Sequence, residues 1–515
     1  MRDRLRWWIA ICLAACCMAA GLYAHRPVNA LADGVRVNRA LLVGVDDFAS
    51  RGSTYPSSTN NVFAMQEALQ ASRAPFDSIV IPDAPVVTVE MLTRLIRETF
   101  ADADEDDVNY LYLSTHGEYD PDQGDPTLLL SDGATEDRLT PQALEAAFAN
   151  IAGTRVLILD ACYSGAFIGK GMRKQPDRLY FLGNRFKVLA SSGAMEESWY
   201  WNTGDATALG EAAGYQQGAF YFTQALSQCL SPRYGVPADA NRDGDVTLRE
   251  LYNALLENHA TSTPQVYPQE DDFVVFSYDP AALAMDVSER APIGDVNFSS
   301  STLSATDPRL TLEFTALRPV RVAYQIVGRR DGAWRFDEAR LLYDTVEQYT
   351  AYGDERGAIT PGRKMRTLSL NLQAGEPGGY VLVQLVSIDA GKLTVHAGHV
   401  IAIPPAQGDP QLAVETNGRY AADGERELAI FVRHNGPCEL SVSILDEAGQ
   451  VVRRLCHRQS TRPQGITPEG STFYWNGLDK SGQKVCSGRY RVRVTGYLGE
   501  QTYTADSADV TLTNG

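Results

Sequence analysis

The chain has 515 residues, 44% hydrophobic and 21% charged, a globular composition too long for one core. At roughly 150 residues per domain it should divide into about three domains. Its net charge of -18 argues against a nucleic-acid partner, because no Lys/Arg-rich stripe is available to displace counterions; it is compatible with a secreted protein and with divalent cations.

The first segment reads as an export signal. "MRDRLR" is a short basic stretch, and Trp7 to Ala24 is uninterrupted and apolar. Ala30-Leu31-Ala32 offers a cleavage site, "LAAC" ending at Cys16 looks like a lipobox, and the apolar run just reaches the ~17–25 residues of a membrane span. Residues 1–32 are therefore a signal peptide or a membrane anchor. The mature protein is expected to be periplasmic, at the cell surface or extracellular.

Between residues 37 and 281 apolar strands alternate with amphipathic helices. Strands are expected at 39–45, 78–82, 108–114, 155–160, 185–191 and 271–277. Helices are expected at 60–72, 88–100, 140–152 and 218–230, the third opened by Thr140 as N-cap and Pro141 at its first position. Near-continuous apolar strands between helices predict an α/β fold, an open and mainly parallel sheet covered on both faces. Beyond that the pattern becomes alternating and turn-rich. Two all-β sandwich domains are expected, at 287–404 and 411–513, joined by the linker "PPAQGDP". In the second, "DEAGQ" and "DKSGQ" read as tight hairpin turns. Its string "W-N-G-x-D-x-S-G-x-x-V-x-S-G-x-Y", from Trp475 to Tyr490, resembles the immunoglobulin-like domain of flagellar hook-capping proteins. That resemblance implies a spacer or docking module without chemistry.

The eight cysteines sort by region. Cys12, Cys16 and Cys17 belong to the leader, Cys162 and Cys229 to the α/β region. Cys438, Cys456 and Cys486 allow at most one disulfide and leave a free thiol. No C-x-x-C spacing exists, which excludes a zinc ribbon. His396 and His399 fall on opposite faces of one strand.

In an open α/β sheet, ligands sit outside the carboxyl ends of the strands. Two strands end in reactive side chains: "YLYLSTHG" in His116 and Gly117, and "VLILDACYSG" in Cys162 and Gly165. If the strands are neighbours, both side chains emerge at one rim, where an imidazole can serve a thiol as base. H-G after a strand followed by D-A-C-x-S-G resembles the caspase-like cysteine peptidases, among them metacaspases, legumain and gingipains. The match runs from "LLVGV" through "ASSGAMEES" to "DDFVVF". The resemblance implies peptide-bond cleavage through an acyl-enzyme, with His116 as general acid/base and Cys162 as nucleophile. It also implies an oxyanion hole of the Gly117 and Cys162 backbone N–H groups. Asp160, placed as in metacaspases, would line a pocket for Arg or Lys at P1, with Glu196 and Glu197 as a further wall.

"DANRDGDVTLRE" fits a calcium loop. Asp239, Asn241 and Asp243 supply oxygens, Asp245 its backbone carbonyl, Gly244 the turn and Glu250 a bidentate carboxylate, with Thr247 acting through water. Pro232 and Pro237 break any entering helix, so only the exit helix is expected. Lys170, Arg173, Lys174 and Arg178 follow the nucleophile. If basic P1 residues are selected, loop 169–178 is a self-processing site.

The expected protein is thus an exported cysteine endopeptidase with calcium as cofactor and a protein or peptide as partner. Its rivals are a catalytically silent calcium-binding surface or adhesion protein, and a transpeptidase using the same dyad. No G-x-S-x-G elbow and no G-x-G-x-x-G after the first strand exist, which argues against an α/β-hydrolase and a Rossmann dehydrogenase.

Overall fold

The computed structural model describes residues 36–515 except 121–124, 173–177, 203–217, 260, 300–308, 331–332, 337–339, 345–356, 371–378, 390–391, 404–410, 423–426, 435–437, 462–469, 499–500 and 515. The leader, Arg173, Lys174 and the linker lie outside the described residues. Among those described, no helix is long and apolar enough to cross a membrane.

The first region is built in chain order from β1 (Asn38–Gly44), α1 (Ser57–Gln70), β2 (Phe76–Val80), α2 (Val89–Thr99) and β3 (Val108–Ser114). A small sheet of β4 (Gly117–Glu118), β5 (Thr127–Ser131) and β6 (Glu136–Leu139) follows, then α3 (Pro141–Ala147), β7 (Thr154–Asp160) and β8 (Phe186–Ala190). Next come β9 (Tyr200–Asn202), β10 (Gly218–Phe220), α4 (Tyr221–Leu230), β11 (Asp245–Thr247), α5 (Leu248–Asn258), β12 (Gln265–Tyr267) and β13 (Val274–Ser277). The central sheet has the order β12-β8-β7-β3-β1-β2, parallel except for β12.

Period-2 alternation sorts its side chains into two layers. Leu42, Tyr112, Ile158 and their neighbours pack against α1, α4 and α5, while Leu41, Leu113 and Leu159 pack against α2 and α3. Because both faces are covered, β3 is buried along its whole length. Thr140 caps α3 as expected and Thr88, the first residue of the expected helix 88–100, caps α2; they accept from the Ala143 and Met91 amides at 3.2 and 3.1 Å.

Three expectations are corrected. The strand expected at 271–277 is shortened to β13 and pairs with β11, outside the central sheet, whose edge is taken by β12. The helix expected at 140–152 ends at Ala147, with Phe148 as its C-cap. The helix expected at 218–230 gives its first turn to β10 and begins at Tyr221.

The remaining chain is strand-rich. From Ile293 to Ala402 a three-stranded and a five-stranded sheet enclose one core that includes Leu312, Phe314, Val383 and Ile401. From Leu412 to Asn514 a second pair of sheets packs around the fully buried Trp475. There the "W-N-G-x-D" string is architecture. The Trp475 indole donates to the Leu478 carbonyl at 2.9 Å, Gly477 and Gly482 have φ of 76° and 75°, and Asp479 Oδ1 accepts the Ser481 and Gln483 amides. Both expected hairpin turns form, closed by Asp446 N–H to Gln450 O at 3.0 Å and Asp479 N–H to Gln483 O at 2.8 Å. Cys438, Cys456 and Cys486 are all free. A bulge in the pairing of Tyr380–Asp389 with Lys392–Ala402 falls at His396, which bonds Ser387 Oγ at 2.7 Å, while His399 stacks on Phe298.

Candidate active site

β3 and β7 run parallel and in register, so Ser114 stands beside Asp160. The Thr115 amide extends the ladder to the Asp160 carbonyl at 3.1 Å. The two chains stay in contact beyond the sheet: a Cβ on Gly117 would lie 1.9 Å from the Cys162 carbonyl oxygen. Only a residue without a side chain permits that approach. His116 and Cys162 therefore leave the same rim on adjacent strand ends, the juxtaposition the strand-end argument requires.

After Cys162 the chain turns through Tyr163, at a φ of 59°, into a short 3-10 turn at Ser164–Ile168. The turn is held from below. The Ala161 N–H donates to Ser191 Oγ at 3.1 Å, the Tyr163 N–H to the Glu196 carbonyl at 2.9 Å, and the Gly165 N–H to the Ser192 carbonyl at 2.8 Å. A Cβ on Gly165 would meet that same Ser192 oxygen at 2.6 Å. Amid these engaged amides, the Cys162 N–H has no acceptor among the described residues, so it is available to a developing oxyanion.

The Cys162 thiol is half-buried and donates to the Ser198 carbonyl at 3.5 Å, not to His116. Burial, with Glu197 nearby, pushes it up to about 12. The His116 ring packs against Phe48, centroids 4.5 Å apart, and meets Tyr200 edge-on at 6.5 Å. Burial, reinforced by the Arg51 guanidinium, pulls the imidazole down to about 4. The resting pair at neutral pH is thus a neutral base beside a neutral thiol. Such catalytic hydrogen bonds are often long before substrate binds.

Asp160 is fully buried beneath this pair. Its Oδ1 accepts from Ser198 Oγ at 3.0 Å, and its Oδ2 from Thr223 Oγ1 and N at 2.6 and 3.2 Å. Burial raises its carboxyl to about 6 despite these bonds. Instead of a free carboxylate at the mouth, the structure places a bonded one in the floor. The floor extends to residues that carried no sequence signal. Asn61 Nδ2 donates to Ser114 Oγ at 3.1 Å, and Asn61 Oδ1 accepts the Phe220 amide at 3.1 Å.

The two glutamates separate. Glu196 turns away from the thiol: its Oε2 accepts the Thr263 amide at 2.7 Å and its Oε1 the Thr263 hydroxyl at 3.0 Å, so it braces the loop. Glu197 is the one whose charge reaches Cys162. Arg51, from a Ser/Gly-rich loop without a recognisable pattern, reaches both reactive groups and pairs with Glu118 at 2.8 Å.

The acidic loop lies apart from this rim, between a 3-10 turn at Pro232–Tyr234 and α5. No full helix leads directly into it, as Pro232 and Pro237 imply. Asp239 is buried and accepts the Arg242 and Gly244 amides at 2.7 and 3.0 Å and the Tyr278 hydroxyl at 2.9 Å. Asn241 and Asp243 each accept the amide two residues on, both at 2.9 Å, and Gly244 has a φ of 89°. Asp245 pairs through its side chain with Arg73 at 2.6 Å, which leaves its carbonyl as the donor. Thr247 is the N-cap of α5, in a reciprocal capping box with Glu250, where a water-mediated role was expected. Among the described residues, no three His, Cys, Asp or Glu side chains converge on one point. The oxygen-only donors, their order and the tight turn nonetheless fit a hard cation such as calcium.

Comparison with known proteins places these observations. A family model described as the caspase domain matches residues 37–294, and one for the FlgD Ig-like domain matches residues 416–500. Among solved structures, dimeric latent PorU from Porphyromonas gingivalis is 15% identical, over 49% of this chain and 22% of that one, with a TM-score of 0.19. The chain thus spans about a fifth of PorU's length. Caspase-1 from Spodoptera frugiperda is 17% identical, over 50% of this chain and 100% of that one, with a TM-score of 0.30. No curated protein matches. With just over half of its residues matched by the caspase-domain model, the chain belongs to the caspase-domain family of cysteine peptidases and carries a FlgD Ig-like domain toward its end.

Proposed function

We propose that the protein is an exported cysteine endopeptidase that cleaves after Arg or Lys. The observation that carries the reading is the contact of Gly117 with the Cys162 carbonyl, which sets the two reactive strand ends side by side. As the Cys162 sulfur attacks the scissile carbonyl carbon, its proton passes to the neutral His116 imidazole. The carbonyl electrons move to oxygen, held by the Cys162 and Gly117 N–H groups. Collapse expels the amine, which takes the proton from His116, and leaves an acyl-enzyme. Water then attacks with His116 as base and releases the acid.

A basic P1 side chain is favoured by the local field. Five carboxylates, of Asp46, Glu118, Glu136, Asp160 and Glu197, act on His116 or Cys162, and the guanidinium of Arg51 acts on both. A guanidinium entering from the rim would meet Asp160 by exchanging its bonds to Ser198 and Thr223. A fluorogenic scan of Arg, Lys, Asp and Asn at P1 tests this, with Cys162→Ala as control. Turnover of the Arg and Lys members alone is expected. Cleavage after Asp, or of none, contradicts it, the latter favouring a silent surface protein.

Calcium binding at 239–250 belongs to the same proposal, with Asp239, Asn241, Asp243, the Asp245 carbonyl and Glu250 as ligands. So does self-processing after a basic residue of 169–178. Lys170 is an unsuitable site there, being buried in an ion pair with Glu427 over the Tyr474 ring. Arg178, exposed beside Glu145, is the described alternative.

A further inference from the structure

The segment that touches both reactive residues is itself held by the strand-rich region 293–402. Ser198 offers the carbonyl that accepts the Cys162 thiol, and Tyr200 offers the ring beside His116. An extended chain sends alternate side chains to opposite faces, and here the two alternate residues are tryptophans directed away from the dyad. Trp199 is buried in a cluster with Tyr221, Ala323, Leu382, Val395 and Val400, against which Trp201 also packs. The Trp201 indole donates to Gln224 Oε1 at 3.1 Å, and Gln224 Nε2 donates onward to the Val395 carbonyl. The Trp199 carbonyl accepts the Tyr221 amide at 3.1 Å, and the Tyr221 hydroxyl accepts from Gln384 Nε2. The Tyr221 ring lies so close to the next strand that a Cβ on Gly398 would stand 2.7 Å from it.

Two glutamines thus tie one four-residue segment to a separate domain. Gln224 uses both ends of its amide, one on each side of the seam. Neither Gln224 nor Gln384 touches a reacting atom. The Gln384–Tyr221 bond is buried, where a lost partner is expensive, while the two bonds of Gln224 are part-buried at the edge of the apolar cluster.

We propose that the region 293–402 is a positioning element of the active site. Through Gln224 and the Gln384–Tyr221 bond it fixes the segment Ser198–Trp201, and with it the carbonyl on Cys162 and the ring on His116. The proposal rests on the dyad reading above and goes beyond it, because it makes an appended β-sandwich part of the catalytic apparatus.

The test uses the full chain carrying Gln224→Leu, Gln384→Leu or Gln224→Glu, the last keeping the acceptor for Trp201 but not the donor to Val395. Leu312→Ala, in the β-sandwich core away from the seam, controls for destabilisation alone. Three quantities are read: kcat and KM on a peptidyl-Arg substrate, the rate of Cys162 alkylation by iodoacetamide from peptide masses, and Tm. The two leucine variants should lower kcat about tenfold or more, with KM nearly unchanged, because an ångström of misplacement can cost ~10²-fold. Their Cys162 alkylation rate should shift by roughly threefold or more from wild type as the thiol loses its fixed Ser198 partner. Gln224→Glu should fall between them and wild type, and Leu312→Ala should lower Tm while leaving both rates near wild type. Leucine variants within a factor of two of wild type in alkylation overturn the proposal. So does a loss that Leu312→Ala reproduces. If wild type cleaves no peptide, the peptidase reading fails, while the alkylation rates still decide the positioning.

Discussion

His116 is the residue on which the chemistry turns, and its environment fixes the protonation state. Burial among Phe48 and Tyr200, with Arg51 nearby, holds its pKa at about 4, below the ordinary value of 6.5. Because the acting form is the neutral base, His116 should limit kcat/KM only as pH drops through that depressed value. On a peptidyl-Arg substrate the Asp160 carboxyl, raised to about 6, should add an earlier limb near 6. Asp160→Asn should remove that limb and leave the residual activity flat from pH 7 to 5. A limb centred near 6.5 that persists in this variant would show that the imidazole is not desolvated. Arg51→Gln removes a repelling cation and leaves Glu118 with Arg138 as its partner, so it should move the His116 acid limb upward. The same scale shows what a sequence hides. Asp160 was legible as a carboxylate two residues before the thiol, but not its bonds to Ser198 and Thr223, which come from residues far along the chain. Glu196 and Glu197 are chemically alike in the sequence. Only the fold turns one toward Thr263 and leaves the other near Cys162.

At the scale of elements, the site depends on how closely two strand ends can approach. Gly117→Ala would push a methyl into the Cys162 carbonyl, so the backbone must separate. Overpacking of this kind costs about 1–3 kcal/mol, and activity should drop by ~10²-fold, since the donors and the base move with the strand. Kinetics together with thermal melting check this, and an alanine variant of near-wild-type activity would refute the close contact. The strands of the central sheet were legible because burial on both faces makes them continuous apolar runs, β3 and β7 above all. The short sheet of β4, β5 and β6 was not. Gly117–Glu118 is too brief and Glu136–Leu139 too polar to carry a period. The edge strand β12, of three residues, escaped for the same reason, and β13 was misplaced because an apolar run does not reveal its pairing partner. The acidic loop 239–250 was legible as a contiguous pattern with its tight turn at Gly244, but the capping box that joins Thr247 to Glu250 was not. Millimolar calcium should raise Tm by several degrees, as binding at ~100 times Kd stabilises by about 2.7 kcal/mol. Glu250→Gln should abolish that shift, and a calcium-independent Tm would contradict the site.

At the scale of the whole molecule, the two appended domains grip the two loops that flank the reactive pair. The β-sandwich holds Ser198–Trp201. The Ig-like domain holds the loop after the nucleophile: the Tyr474 hydroxyl accepts the Gly171 and Met172 amides, and Thr472 donates to their carbonyls at 3.2 and 3.4 Å. Tyr474→Phe should therefore increase hydrogen exchange at Gly171 and Met172 about fivefold, the equivalent of one bond near 1 kcal/mol. No change there would show that the clasp does not hold the loop in solution. No motif announces such contacts, because they join residues 163 to 303 positions apart and involve ordinary Tyr, Thr and Gln side chains.

The central claim is that Cys162 is a nucleophile served by His116. A peptidyl-Arg chloromethyl ketone tests it most directly, because the reagent alkylates a thiol held beside its own binding site. After incubation and peptide mass mapping, the wild-type chain should carry the adduct on Cys162 and not on the free Cys229, Cys438, Cys456 or Cys486. His116→Ala should slow that labelling by ~10²-fold or more, within the range of a lost general base. Equal labelling of Cys162 in both proteins, or an adduct spread over the other cysteines, would contradict the account.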